Sequence, residues 1–201
     1  QNHGGYTDTY YGFDNTVTAD KLNNSALDQY LSLIKLTDED LKSLIEYFSN
    51  VDEKTIVVFF GDHQPNDTVA SSVLAANGMD YNNLSNEELK LRYQVPYVIW
   101  ANYDIDAKSD VENVSANYLS SMMLEQTNLK LSRYNEYLLN LRKTIPALNA
   151  NGYVDKDGKD HEFSEKNKYT KLINEYHYLQ YNSLMDTKHV SNTLFSVGNG
   201  K

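Results

Sequence analysis

The sequence contains no cysteine. That excludes a disulfide framework, thiolate-ligated zinc and iron–sulfur clusters, but not a compartment, since cytosolic and exported bacterial proteins alike can lack the residue. Long apolar runs are missing as well. Stretches such as "IVVFF" at 56–60 and "YVIWA" at 97–101 fall far short of the roughly 20 residues of a membrane helix. No signal-peptide pattern opens the chain. It starts at "QNHGGY" without Met, so we expect it to begin inside a longer protein, with any membrane anchor upstream. Three prolines and nine glycines leave no room for a long low-complexity linker. Positive charge is scarce: 18 Lys and Arg face 28 Asp and Glu, a formal net charge of -10. Such a surface disfavours nucleic acid, and an anionic substrate would need a local cation such as a bound metal. A glycine-rich phosphate loop and a GxSxG nucleophile elbow are absent. The many Ser and Thr residues include none whose context marks a nucleophile.

What is present suits one folded domain. The chain has 201 residues, 40% hydrophobic and 23% charged, enough for a sizeable core. Its 17 tyrosines offer apolar area with a polar tip and call for no function of their own. Residues 1–24 read as loop. Leu27, Tyr30, Leu31 and Ile34, then Leu41, Leu44, Ile45 and Phe48, recur at helical spacing. We expect one long helix over about 25–50 with Ser25 as its cap, although "TDED" could also start a fresh helix. "TIVVFFGD" reads as a buried strand, apolar on both faces as a parallel strand covered by helices would be. "NDTVASSVLAANG" is a short helix or a loop. Ser85 and Glu88 form a cap signal before a short helix. "QVPYVIWANY" is a second strand, with Pro96 at its beginning. Helices follow in "VSANYLSSMMLEQTNL", with Ser115 near its start, and in "SRYNEYLLNLRKTI", ended by Pro146. "GYV" and "HEF" flank a hairpin turn at "DKDGK". A long helix capped by Ser164 and a tail with a short strand at "NTLFSV" complete the pattern. There is no internal repeat and no domain boundary.

Three constellations have chemical interest. Asp62 and His63 follow a buried strand, and in open α/β sheets ligands bind beyond the carboxyl ends of strands. A carboxylate and a neutral imidazole are suitable ligands for Mn²⁺, Zn²⁺ or Fe, and Gly61 relaxes the backbone there. The same pair also reads as a carboxylate capping loop amides beside a partly buried histidine, since a site needs three or four ligands. His3, followed by two glycines, reads either as a donor to a phosphate oxygen or as a histidine of an ill-ordered terminus. "DKDGKDHE" at 155–162 places Gly158 and Lys159 where a calcium loop cannot use them. We expect a solvated hairpin turn with His161 in it. His177 is expected to pack on its tyrosine-rich helix, and His189 has no partner that the sequence names.

The segments "QNHGGY", "YLSLIKLTDEDLKSLIEYF", "TIVVFFGDHQP", "VPYVIWANYDI" and "VSANYLSSMML", in this order, resemble the C-terminal part of the lipoteichoic acid synthase-like branch of the sulfatase and alkaline phosphatase superfamily. The resemblance covers residues 1–145. Residues 146–201 resemble the family's C-terminal extension only loosely and read as an extension of the same domain. It implies an α/β fold, a portion of an alkaline phosphatase-like sandwich with its sheet flanked by helices, plus a C-terminal hairpin and long helix. It implies a phosphoglycerol transferase on the extracellular face of a bacterial membrane, anchored by upstream helices. Such an enzyme takes phosphoglycerol from a lipid and passes it to a glycopolymer or glycolipid acceptor, with no part for nucleic acid. A threonine forms the covalent intermediate beside one divalent metal, usually Mn²⁺, with Mg²⁺, Zn²⁺ and Ca²⁺ as the other candidates. By position, Asp62 and His63 match two metal ligands and His3 the substrate-binding histidine. The Glu ligand and Thr nucleophile would lie upstream of Gln1. We therefore expect no catalytic nucleophile in this chain, weak metal affinity at most, and an open sheet edge that invites self-association. The alternatives are a sulfatase (a sulfuric ester hydrolase) or phosphoethanolamine transferase of the same superfamily, and a surface binding module that keeps the fold without the chemistry. The upstream residues discriminate: Thr favours phosphoryl transfer, and Cys or Ser in a C/S-x-P-x-R context marks a sulfatase.

Overall fold

The computed structural model describes residues 5–8, 12–107, 113–186 and 188–197. The chain divides into two compact units, Gln1–Tyr103 and Asp104–Lys201, each with an apolar cluster of its own.

In the first unit, α1 (Ser25–Ser49) is the single long helix that the apolar period implies. Its cap is Asn24 rather than Ser25. Asn24 is still extended, and its side chain accepts from Ala26 N at 3.0 Å and Leu27 N at 3.2 Å, whereas Ser25 has already entered the helix. "TDED" does not start a new helix, because Thr37 turns its hydroxyl back to donate to Leu33 O at 3.0 Å. Ala26, Leu27 and Leu33 form the buried stripe, packed with Tyr6 and Val69. Ser32, also buried, accepts from Thr16 N at 2.9 Å and Val17 N at 3.0 Å and so lays the preceding loop on the helix.

Strand β1 (Ile56–Phe60) pairs with β2 (Tyr97–Ala101) in antiparallel register, Ile56 opposite Ala101 and Phe60 opposite Tyr97. This corrects the expectation of a parallel strand buried on both faces. Phe60 is 50% exposed and Val98 49%, because a two-stranded ribbon cannot cover both of its own faces. The apolar run specified a strand but could not specify its partner's direction. Asn102 ties the end of β2 to the connection between α1 and β1. Its Nδ2 lies within 3.0 Å of the carbonyls of Phe48, Val51 and Glu53, and its Oδ1 accepts from Thr55 N at 2.8 Å. Segment 67–76, helix or loop by sequence, is helix α2 (Asp67–Ala76), capped by Asn66. A 3₁₀ turn at Tyr81–Asn83 leads to α3 (Asn86–Leu91), which has the capping box that its sequence promised: Ser85 Oγ accepts from Glu88 N at 3.2 Å and the Glu88 carboxylate accepts from Ser85 N at 2.8 Å.

In the second unit a 3₁₀ turn, Ala116–Tyr118, feeds α4 (Leu119–Glu125), and Ser132 caps α5 (Arg133–Arg142). Tyr118, fully buried, donates its hydroxyl to Ile145 O at 2.7 Å. Three short strands, β3 (Ala147–Asn149), β4 (Gly152–Val154) and β5 (Asp160–His161), form an antiparallel sheet in that order, so the expected hairpin is present with a third strand added. Helix α6 (Thr170–Leu184) buries Ile173 and Tyr176 against Tyr118, Leu138, Leu141, Ile145, Tyr153 and Tyr169. It starts at Thr170, not after Ser164. Ser164 donates to the Glu162 carboxylate at 3.1 Å, and Glu165 and Asn167 are occupied by His161 and Tyr153. The tail forms a short helix, α7 (Asn192–Phe195), where a strand was expected. The segment sets the Phe195 ring 4.8 Å from Tyr134 of α5. Among the described residues no helix is long and apolar enough to cross a membrane.

Candidate metal centre

The turn that leaves β1 begins at Gly61, whose N–H donates to Pro96 O at 3.0 Å. The approach is close here: a Cβ would stand 3.0 Å from Val95 Cβ, so a larger residue would have to push that side chain aside by a few tenths of an ångström. The chain therefore stays flush against the start of β2 for one residue past the strand and then swings outward. Asp62 and His63 project from this swing. Their side chains are 78% and 58% exposed, so both are open to an ion or a ligand arriving from outside the unit.

The two side chains are held relative to each other. Asp62 Oδ1 accepts from His63 N at 2.9 Å. His63 Nδ1 lies 2.8 Å from Gln64 O. A carbonyl only accepts, so Nδ1 carries the proton and, in the neutral ring, Nε2 carries the lone pair. That tautomer presents the Nε2 lone pair to a metal, with Nδ1–H held by a backbone carbonyl as in many metal-binding histidines. Nε2 lies 3.6 Å from Asp62 Oδ2, close enough for both atoms to reach one cation. The donor set, one carboxylate oxygen and one imidazole nitrogen, fits a divalent ion of the Mn²⁺ or Zn²⁺ type. It is half a site: among the described residues no group of three or more His, Asp and Glu side chains is placed to hold an ion. His3 lies outside the described residues.

Beyond His63 the turn is tied to one opposing segment. Gln64 Nε2 donates to Gln94 O. Arg92 donates from Nη1 to Pro65 O at 3.4 Å and from Nη2 to Asp67 Oδ1 at 3.1 Å. Its guanidinium carbon also lies 5.8 Å from the Tyr81 ring centroid. Hydrogen bonding to the Asp67 carboxylate pushes the Tyr81 phenol upward from its ordinary value.

The other histidines are placed elsewhere. His161 is not in a solvated turn, which corrects the sequence expectation. Its side chain is 6% exposed and that of Asp155 5%. His161 Nε2 lies 2.9 Å from Asp155 Oδ2 and Nδ1 lies 3.0 Å from Glu165 Oε2. The ring stacks on Tyr153 at 5.0 Å and meets Tyr169 edge-on at 5.6 Å. Asp155 Oδ1 accepts from Asp157 N and Lys159 N, closing the turn over the pair. With a carboxylate at each nitrogen the ring is held as an imidazolium and has no lone pair for a metal. Asp155 and then Glu165 push the histidine above its ordinary value, and the bond to His161 holds Asp155 and Glu165 below theirs. Only the spacing of Asp155, His161 and Glu165 in sequence hinted at this. His177 is exposed beside Phe163, and His189 Nδ1 pairs with Asp186 at 2.7 Å.

Comparison with known proteins gives consistent results. The sulfatase family profile matches residues 1–129. A putative cyclic beta-1,2-glucan modification protein of Rhizobium meliloti (strain 1021) is 25% identical over 202 residues, covering 97% of this chain and 31% of that protein. The structure of Streptococcus pyogenes phosphoglycerol transferase GacH in complex with sn-glycerol-1-phosphate superposes with a TM-score of 0.59 at 19% identity. That match covers 91% of this chain and 41% of GacH. The chain thus spans less than half the length of either relative, and its mixed α/β architecture is that of the GacH fold. With the profile covering the turn, the strand before it and the helices on either side, the chain belongs to the sulfatase family.

Proposed function

We propose that the chain is the C-terminal part of a metal-dependent phosphoglycerol transferase at the extracellular face of a bacterial membrane. In this reading Asp62 and His63 hold one divalent cation, Mn²⁺ first among the candidates, together with a Glu and a nucleophilic Thr from outside this chain. The observation that carries it is the 3.6 Å approach of Asp62 Oδ2 and His63 Nε2 with the ring tautomer set by Gln64 O. A bound cation supplies Lewis-acid charge to a phosphoryl oxygen. Asp62 and His63 would hold that charge in place, and Gly61 lets them stand outside the sheet where a bulky lipid or glycan can approach.

The substrate class has two supports. The GacH structure carries sn-glycerol-1-phosphate, an anion that a surface of net charge -10 would repel without a local cation. The Rhizobium relative is named for glucan modification, which favours a glycopolymer or glycolipid acceptor. His3 would contact the phosphate. On its own the chain would be inactive.

The test uses the full-length protein. Asp62→Ala and His63→Ala should each abolish transfer of phosphoglycerol from a phosphatidylglycerol donor to a glycan and lower bound Mn²⁺, leaving the circular dichroism spectrum intact. Retained transfer would sink the ligand assignment. Release of sulfate from a sulfate ester, or transfer of phosphoethanolamine, would replace the substrate class.

A further inference from the structure

The pair Asp62–His63 sits on an exposed turn with no covering layer in its unit, yet two ligands must keep their mutual geometry for an ion to choose them. Residues 92–96 form an opposing segment that restrains the turn. It contacts the turn at every second position: Pro96 O receives Gly61 N, Gln94 O receives the Gln64 amide, and Arg92 reaches Pro65 O and the Asp67 carboxylate. The first two ties come from backbone carbonyls and survive any side-chain change in the segment. The third depends wholly on one side chain. Arg92 is 19% exposed where its partner Asp67 is 70% exposed, so the guanidinium is the inner member of the pair. It also spans two elements, closing the carbonyl at the end of the turn and the first residue of α2 onto the C-terminal end of α3.

We propose that Arg92 is a positioning residue of the metal centre, acting as a brace that holds the far end of the Asp62–His63 turn. The inference rests on the reading of Asp62 and His63 as metal ligands. Arg92 bonds Pro65 O and the Asp67 carboxylate, beyond the two ligands in the chain. Its planar fork serves two acceptors with different directions, a carbonyl and a carboxylate, and an ammonium on a flexible stem cannot hold both with the same rigidity. Losing it releases Pro65 and Asp67 from the guanidinium while Gly61 stays pinned to Pro96 O and the Gln64 amide to Gln94 O, so the turn loosens at its far end, beyond Gln64. The ligands themselves remain, with their geometry relaxed. Groups that support ligands in this way typically contribute 10–100-fold to metal affinity. A brace two to four residues from the ligand belongs at the lower end, about tenfold.

The experiment titrates Mn²⁺ into the full-length protein by isothermal calorimetry, for wild type, Asp62→Ala, Arg92→Ala, Arg92→Lys and Asp67→Ala, with the unfolding midpoint of each metal-free protein recorded. The expected order of Kd is wild type, then Asp67→Ala, which keeps the Pro65 contact, then Arg92→Lys, then Arg92→Ala about tenfold weaker. The metal-free midpoints should coincide within error. Asp62→Ala should abolish binding. Unchanged affinity in Arg92→Ala while Asp62→Ala loses the metal overturns the brace and leaves the ligands standing. Unchanged affinity in Asp62→Ala overturns the ligand reading and the brace with it. An affinity loss in Arg92→Ala matched by a fall in the metal-free midpoint assigns Arg92 a general structural role and also overturns the proposal.

Discussion

Replacing Gly152 by alanine should damage the second unit more than any other exchange of a described glycine for alanine in its hairpin. The new Cβ would overlap the carbonyl oxygen of His161 and stand 3.4 Å from its carbon. An unstrained C···O approach is about 3.3 Å or more, so β4 and β5 must part by on the order of 1 Å. That stretches ladder bonds beyond the usual limit of about 3.2 Å. Overpacking costs about 1–3 kcal/mol and a lost hydrogen bond about 0.5–1.5 kcal/mol. The stiffer unfolded chain returns about 0.4–1 kcal/mol. The net is a destabilisation of about 0.5–4 kcal/mol, centred on about 2 kcal/mol. Gly158, at the tip of the same hairpin, is the control. It has φ +79 with nothing within 4 Å of its would-be Cβ, so its alanine variant meets only left-handed strain of about 1–2 kcal/mol, partly offset in the unfolded chain. Urea unfolding followed by circular dichroism gives both values, and native-state hydrogen exchange at Tyr153 and Val154 should quicken in Gly152→Ala only. If Gly152→Ala proves no less stable than Gly158→Ala, the close approach of the two strands is not what selects glycine there.

Tyr118→Phe should destabilise the second unit by about 1–3 kcal/mol in the same assay, because it strands the buried carbonyl of Ile145 that now accepts at 2.7 Å; a change inside experimental error would show that water or another donor replaces the hydroxyl. The clamp on His161 makes stability depend on pH in both directions. With its folded value raised from 6.5, His161 contributes fully below that ordinary value, and the contribution is lost as pH rises through the folded one. Asp155 and Glu165, lowered from 3.8 and 4.5, contribute above those values and lose it as pH falls through their folded ones. Proton NMR of the His161 ring should report titration above 6.5, and His161→Gln should flatten the alkaline limb of the stability profile; an unaltered limb would mean that other groups cause it.

How much of this was legible in advance followed the sequence separation of the partners. Helix α1 could be read because its apolar residues repeat every three or four positions and nothing else is needed to specify a stripe. The Asp62–His63 turn could be read as a turn because the β-branched run, the glycine and the acid–histidine pair are contiguous. The capping box at Ser85 and Glu88 spans three residues and was equally visible. Neither strand direction nor burial is encoded that way. Ile56 faces Ala101, 45 residues on, and no local pattern distinguishes that partner from a parallel one. His161 looked like a solvated turn residue because its neighbours are Asp160 and Glu162. Its burial comes from Tyr153 on β4 and Tyr169 at the start of α6, whose rings close over it only after the hairpin has folded against the helix.

The same separation explains why the candidate ligands were visible and the residue proposed to support them was not. Asp62 and His63 stand out by residue type, since a carboxylate and an imidazole side by side after a strand are a donor pair that sequence alone displays. Arg92 is one of 18 cations in an acidic chain, and its two acceptors lie 25 and 27 positions away. Its sequence context, the end of a short helix before an X-Pro strand entry, describes an ordinary surface arginine. Only the pairing of β1 with β2 turns that context into an opposing wall for the turn. The general consequence is physical rather than statistical. Residues that bind must carry a particular chemistry and can be found by type. Residues that hold the binders need only reach them, so their role exists only after the chain has closed.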